Sequence, residues 1–162
     1  MNTHTHTQPR RPEVPAAGPK PILLVEDESG HAELIRRTVE APGLAYKLTV
    51  VGTLREAQAS VAETLPALAL VDYRLPDGVG TSLVEQAGGA FPVVLMTAYG
   101  SERAAVNIIK AGALDYIVKS PEAFADMPHL IERALREWHH IIERRKAEDA
   151  LRASEHRFRR LL

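Results

Sequence analysis

One pattern constrains this chain more than any other. Short, unbroken apolar runs alternate with amphipathic stretches five times in succession. The runs are Ile22-Leu23-Leu24-Val25, Tyr46 to Val51, Ala67 to Val71, Val93 to Met96 and Leu114 to Val118. Runs this short without polar alternation read as strands covered on both faces. Between them the apolar residues fall at helical spacing. Ala32, Leu34, Ile35 and Val39 line one side of a stretch near 30–41, with Ser29 placed to cap it and Pro42-Gly43 to stop it. Thr53 is placed to cap a helix near 54–64, LPDGVG at 75–80 forms a turn-rich loop before a short helix near 81–87, and Ser101 and Gly112 bracket a helix near 102–111. Such alternation predicts an α/β fold, a doubly wound five-stranded parallel sheet with right-handed crossovers. In open sheets of this class ligands bind outside the carboxyl ends of the strands.

The chemistry-bearing residues stand at those ends. Glu26 and Asp27 follow the first run, Asp72 the third, Thr97 the fourth and Lys119 the fifth. Singly, each has an ordinary structural explanation: a turn former, a cap, a solvated lysine, or favourable charge at a helix N-terminus. Together they place three carboxylates, a hydroxyl and an ammonium on one edge. Carboxylates so close resist joint ionisation. A hard divalent cation such as Mg²⁺, which prefers oxygen ligands, relieves the conflict. The set suits a carboxylate nucleophile that accepts a phosphoryl group, with metal and lysine stabilising charge on the transferring oxygens.

The motifs ILLVEDE, LALVDYRLPDGVG, VVLMTAYG and ALDYIVK, spread over residues 21–128, resemble the receiver domain of bacterial response regulators, the CheY-like family. The resemblance implies a flavodoxin-like fold with strand order 2-1-3-4-5. It implies that Asp72 is the phosphoacceptor and that Glu26, Asp27, Asp72 and the backbone carbonyl of Arg74 surround Mg²⁺. Thr97 and Lys119 would contact the aspartyl phosphate. Tyr116 matches an aromatic position that swings inward when the threonine moves toward the phosphoryl group, and Ala98 a small residue that leaves room for it. Such a protein takes its phosphoryl group from a histidine kinase or phosphotransfer protein. It assists its own Mg²⁺-dependent phosphorylation and dephosphorylation without being a turnover enzyme. Arg74 and Tyr99 occupy positions that influence phosphate hydrolysis in this family, and their bulk is expected to hinder the attacking water. The family usually has proline directly after the lysine; here Ser120 intervenes before Pro121, and SPEAFADMP makes a longer connection to the last helix.

From Pro128 no helix breaker occurs to the end of the chain, so a final helix of about 50 Å is expected. Ile131, Leu135, Trp138 and Ile142 repeat at 4-3-4 spacing, as do Ala147, Leu151, Ser154 and Phe158 with Leu161 after them, and the two registers break near Arg144-Arg145-Lys146. The first register can finish the core. The second cannot reach it and predicts a partner helix, read as a parallel homodimer with Trp138, Ile142, Leu151 and Phe158 on the dimer helix. His139 and His140 have no kinase-domain motif around them. The ending RKAEDALRASEHRFRRLL resembles the linker before PAS sensory domains of multidomain histidine kinases and related proteins, which implies the front part of a longer protein; the alternative is a shorter protein that ends in a dimerising helix.

Composition bounds the remaining classes. The 162 residues contain no cysteine, which excludes a disulfide scaffold, a thiolate metal site and a cysteine nucleophile. Residues 1–20, with four prolines and almost no large apolar side chain, read as a disordered tail whose His4 and His6 could hold a metal only weakly. No apolar run is long enough for a membrane span or signal peptide, so a cytoplasmic location is expected. Residues 21–128 carry 8 Lys/Arg against 14 Asp/Glu, whereas 129–162 carry 9 against 6. An acidic core argues against nucleic-acid binding. The division expected is a tail over 1–20, a receiver core over 21–128 and a helix over 129–162 that extends into a coiled-coil linker. The alternatives are a phosphorylation-independent assembly module with a receiver fold, a flavin-binding domain and an Asp72-dependent phosphatase. Repulsion of anionic cofactors by the strand-end carboxylates weighs against the flavin, and Arg74, where a second acid would stand, against the phosphatase.

Overall fold

The computed structural model describes residues 18–162. The expected tail, including His4 and His6, lies outside the described residues except for Gly18 to Lys20. The elements run β1 (Lys20–Val25), α1 (Ser29–Val39), β2 (Tyr46–Val51), α2 (Leu54–Glu63), β3 (Leu68–Asp72), β4 (Arg74–Leu75), β5 (Gly78–Val79), α3 (Thr81–Ala87), β6 (Val93–Thr97), α4 (Glu102–Ala111), β7 (Asp115–Val118), α5 (Pro121–Ala125) and α6 (Met127–Leu161). Five strands form one parallel sheet in the order β2-β1-β3-β6-β7. With the β4–β5 hairpin set apart, this is the flavodoxin-like order 2-1-3-4-5. β3 and β6 are buried at every position.

Each strand alternates its side chains between two cores. Ile22, Leu24, Leu68, Leu70, Val94 and Met96 face α1, α5 and α6. Leu23, Val25, Ala69, Val71, Val93 and Leu95 face α2, α3 and α4. Each such aliphatic side chain contributes about 1.5–3 kcal/mol on burial. Thr53 Oγ1 accepts the Glu56 N–H at the start of α2, and Ser101 does the same for Ala104 at the start of α4. Gly112 ends α4 at φ 96°, a conformation that favours glycine.

Several boundaries differ from the sequence reading. Lys20 belongs to β1, its N–H bonded to the Ala45 carbonyl, so the core begins before residue 21. The residue at the N-cap of α1 is Glu28, without a side-chain cap; Ser29 is already helical, because the Glu28 carbonyl accepts the Ala32 N–H and starts the helix one residue early. Within SPEAFADMP, Pro121–Ala125 form a short helix, α5, capped by Ser120, whose Oγ accepts the Ala123 N–H. No peptide bond among the described residues is cis. α6 begins at Met127 and runs without interruption through Arg144-Arg145-Lys146. Met127, Leu130, Ile131 and Ala134 are buried, so a core boundary at 128 cuts through packed structure. From Glu143 onward every residue of α6 is exposed. No helix among the described residues is long and apolar enough to cross a membrane.

Candidate functional site

The parallel register brings the carboxyl ends of four strands to one edge. Val25 pairs with Val71, Asp72 with Met96 and Thr97 with Val118. The residues that follow β1 and β7, Glu26 and Lys119, therefore arrive beside Asp72 and Thr97. The Tyr73 N–H bonds to the Met96 carbonyl at 2.7 Å and the Lys119 N–H to the Thr97 carbonyl at 2.7 Å, which extends the ladder past the strand ends. Gly80 closes the β4–β5 hairpin against this edge. Its backbone is ordinary, yet a Cβ there would overlap the Asp72 carbonyl oxygen and the Leu95 side chain. The Gly80 N–H bonds to the Tyr73 carbonyl at 2.8 Å.

Lys119 is the electrostatic hub. Its Nζ lies 2.6 Å from Asp72 Oδ2 and 2.6 Å from Glu26 Oε2. Asp72 Oδ1 accepts the Arg74 N–H at 3.3 Å, and Glu26 Oε1 accepts the Glu28 N–H at 3.0 Å. Burial raises the Glu26 pKa above its usual value; bonds from Lys119 and the Glu28 N–H oppose this, and the Asp72 charge reinforces it. Burial is also the largest single influence on Lys119 and works against its charge, but the hydrogen bonds and charges of Asp72 and Glu26 together outweigh it and hold its pKa above the usual lysine value. Oxygens of Glu26, Asp27 and Asp72 lie within 4.8 Å of one another, with Asp27 exposed and the other two buried. Glu26 Oε2 is buried, and its near partner is the Lys119 ammonium that it shares with Asp72. Three carboxylates against one ammonium make an all-oxygen, negatively charged set that fits a hard divalent cation.

Above these groups lies an open cleft of about 770 Å³, lined among others by Asp72, Arg74, Thr97, Tyr99 and Lys119. Arg74 and Tyr99 stand exposed on its rim. Thr97 is buried, its hydroxyl donating to the Ile117 carbonyl at 3.4 Å, and Ala98 lines the cleft beside it. Tyr116 is half-buried against the α2–α4 core. Thus Glu26, Asp27, Asp72, Arg74, Thr97, Tyr99 and Lys119 come together at this edge. Trp138, Ile142, Leu151 and Phe158 do not come together. Trp138 and Ile142 are half-buried along a groove that also includes Tyr46, Pro66 and Phe91, whereas Leu151 and Phe158 are exposed. Those four residues therefore do not form one dimer face, because the apolar stripe changes sides along the helix.

Four contributors escaped the sequence reading. His31 lines the cleft, its Nδ1 2.9 Å from Glu28 Oε2 and its ring 5.2 Å from that of Phe124. Phe124 and Pro121 form the wall that α5 adds. Asp77, at the hairpin tip, accepts the Leu54 and Arg55 N–H groups at 2.9 and 3.0 Å. A P-D-G triplet signals a turn; nothing local signals the helix end, 23 positions earlier in sequence, that this carboxylate reaches.

The model of the response regulator receiver domain matches residues 22–135. The methanogenesis regulatory protein FilR1 of Methanothrix harundinacea is 35% identical over 147 residues, which is 85% of this chain and 33% of FilR1. The transcriptional regulatory protein ZraR of Escherichia coli is 34% identical over 123 residues, 74% of this chain and 27% of ZraR. The chain thus spans about a third or less of these relatives. Among solved structures, a CheY-like receiver domain protein from Methanospirillum hungatei superposes with a TM-score of 0.65 at 31% identity, covering 75% of this chain and 97% of that one. The receiver domain of a signal transduction histidine kinase from Syntrophus aciditrophicus superposes with a TM-score of 0.61 at 29% identity, covering 72% of this chain and 90% of that one. Sheet order, strand-end chemistry and these likenesses agree, and the chain belongs to the response regulator receiver domain family of two-component signalling.

Proposed function

We propose that this chain is a phosphoacceptor in a two-component phosphorelay, taking a phosphoryl group on Asp72 from the phosphohistidine of a histidine kinase or phosphotransfer protein. The observation that carries this is the placement of the Asp72 carboxylate. It opens on a solvent cleft, one oxygen is 2.6 Å from the Lys119 ammonium, and Glu26 and Asp27 oxygens lie within 4.8 Å. An Asp72 oxygen attacks phosphorus, the P–N bond to the donor histidine breaks, and the imidazole leaves with its electron pair. Lys119 stays charged through the step and neutralises oxygens of the incoming group. Glu26, Asp27, Asp72 and the Arg74 carbonyl would hold Mg²⁺, which supplies Lewis-acid stabilisation of phosphoryl charge when bound. Glu26 is desolvated and anchored by the Glu28 N–H, so one ligand is preset.

Thr97 then donates its hydroxyl to the aspartyl phosphate in exchange for its long bond to the Ile117 carbonyl. Tyr116, one residue before Ile117, is the neighbour this exchange loosens, which gives a two-state element for phosphorylation to bias. Arg74 and Tyr99 on the rim restrict water and lengthen the phosphorylated state. The signal leaves through α6, whose base is in the core and whose distal half pairs with that of a second copy. Functionally the receiver unit closes near Ile142, where own-chain packing ends. Intact mass after acetyl phosphate treatment tests the chemistry. A Mg²⁺-dependent gain of one phosphoryl group, absent in Asp72→Asn, is expected. If Asp72→Asn gains the group equally, the assignment is wrong.

A further inference from the structure

Where α6 leaves the receiver, its polar and apolar faces exchange sides. Because the helix is continuous, positions can be compared by rotation at about 100° per residue. The stripe turned to the receiver contains Ile131, Leu135, Trp138 and Ile142, all buried or half-buried. Past Ile142 that same side carries Arg145, Asp149, Arg152, His156 and Arg160. Arg145 folds back over the Trp138 ring, 5.6 Å from its centroid, and closes the receiver contact. The opposite side does the reverse. Beside the receiver it carries Arg133, Glu137, His140 and Arg144, and beyond them Ala147, Leu151, Ser154, Phe158 and Leu161, with Leu151 60%, Phe158 63% and Leu161 85% exposed.

We propose that the distal half of α6 pairs with the same segment of a second copy on the side turned away from the receiver, and that the Arg133, Glu137, His140 and Arg144 seam stops this pairing short of the receiver. This deepens the dimer reading above and rests on it. The distal stripe repeats at coiled-coil spacing, which a helix of the same spacing matches layer for layer. Layer matching sets the orientation. Antiparallel alignment pairs at most four of the five apolar layers, because each end of the stripe then faces past the other's last layer. Parallel, in-register alignment pairs all five, and stacks Leu151, Phe158 and Leu161 on their counterparts. Continued upward, the same heptad would place Arg133, His140 and Arg144 against their own copies, so pairing ends near Ala147. The receivers then sit on the outer sides of the pair, and neither cleft is covered.

The absence of native cysteine makes the test direct. Full-length Ala147→Cys, Leu151→Cys and Ala153→Cys variants are oxidised, and the parent's mass is followed against concentration by sedimentation. Expected are a dimer, efficient disulfide linkage at 147 and 151, and little at 153, which lies on the receiver side. Replacing the seam charges, His140→Leu with Arg144→Leu, is expected to tighten the dimer about tenfold or more by lengthening the apolar seam. Efficient linkage at 153, or linkage only between mixed Ala147→Cys and Phe158→Cys chains, overturns the inference while leaving a dimer. An unchanged or weaker dimer on removing the seam charges overturns the stop. A monomer at every concentration overturns the dimer reading itself.

Discussion

Lys119 is held between two carboxylates, and the site therefore carries a net negative charge that folding alone does not neutralise. Glu26 is buried, Asp72 nearly so, and Asp27 is exposed beside them. A divalent cation that binds only this folded arrangement adds stability by mass action, about 1.4 kcal/mol at ten times its dissociation constant. Thermal unfolding of the parent is expected to shift upward on titration with Mg²⁺, and that of Asp27→Asn to shift far less. Equal shifts would put the cation elsewhere. Gly80 is the second residue whose identity the site dictates. Its hydrogen leaves room for the Asp72 carbonyl, and a methyl group there forces the hairpin or β3 to move. Gly80→Ala is expected to cost about 1–3 kcal/mol in urea unfolding, the usual penalty for overpacking, and to slow phosphorylation because Asp72 shifts with its backbone. On the rim, Arg74→Ala with Tyr99→Ala is expected to shorten the lifetime of the phosphorylated protein. Decay of the phosphorylated mass at the parental rate would remove these two from the hydrolysis step. The residues gathered at this edge were legible because four strand ends carry them in order; His31 was not, since a polar residue near the start of an amphipathic helix looks the same whether it faces a cleft or solvent.

Strands and most helices were readable as elements because local signals agree with tertiary use. The β3 and β6 runs are apolar throughout because both faces are covered, and Thr53 and Ser101 cap as their type suggests. The misses share a physical cause, contacts distant in sequence. α5 was read as a connection because its five residues have too few turns to show a period, and its one buried anchor is Phe124. The β4–β5 hairpin is two residues a side and exists because Asp77 docks it to α2. Both Asp77 oxygens accept helix N–H groups, and these bonds, Leu54 first, hold its pKa below the usual 3.8. The fold thus prefers the ionised form. The stability this contributes is complete above 3.8 and is lost as pH falls through the lower folded value. Asp77→Asn keeps one acceptor and loses the charge. It is expected to unfold at a lower temperature than the parent at pH 7, with the gap closing below the usual carboxylate range. A gap constant with pH would mean that the bonds, not the charge, matter.

At the scale of the whole molecule, α6 belongs to two structures in turn. Its first half completes one of the two cores: Met127 and Ile131 are fully buried and Leu130 and Ala134 nearly so. Its second half is exposed throughout, with only Arg145 reaching back over the Trp138 ring. The apolar spacing of both halves was visible in sequence, and so was the phase shift between them. Its consequence was not, because whether a phase shift breaks a helix or rotates its apolar face depends on the backbone, and here the backbone continues. The two halves should therefore separate experimentally. A chain ended after Ile142 keeps every core contact and should unfold at about the temperature of the full-length monomer and take up phosphate with Mg²⁺. It should also sediment as a monomer at concentrations where the full chain self-associates. Ile131→Ala within the full chain acts the other way. It opens a cavity under the sheet, costs about 2–5 kcal/mol, and leaves the distal seam unaltered. If ending the chain at Ile142 lowered stability as much as Ile131→Ala does, the distal half would be part of the receiver's own fold, and α6 could not act as a separate lever on a partner.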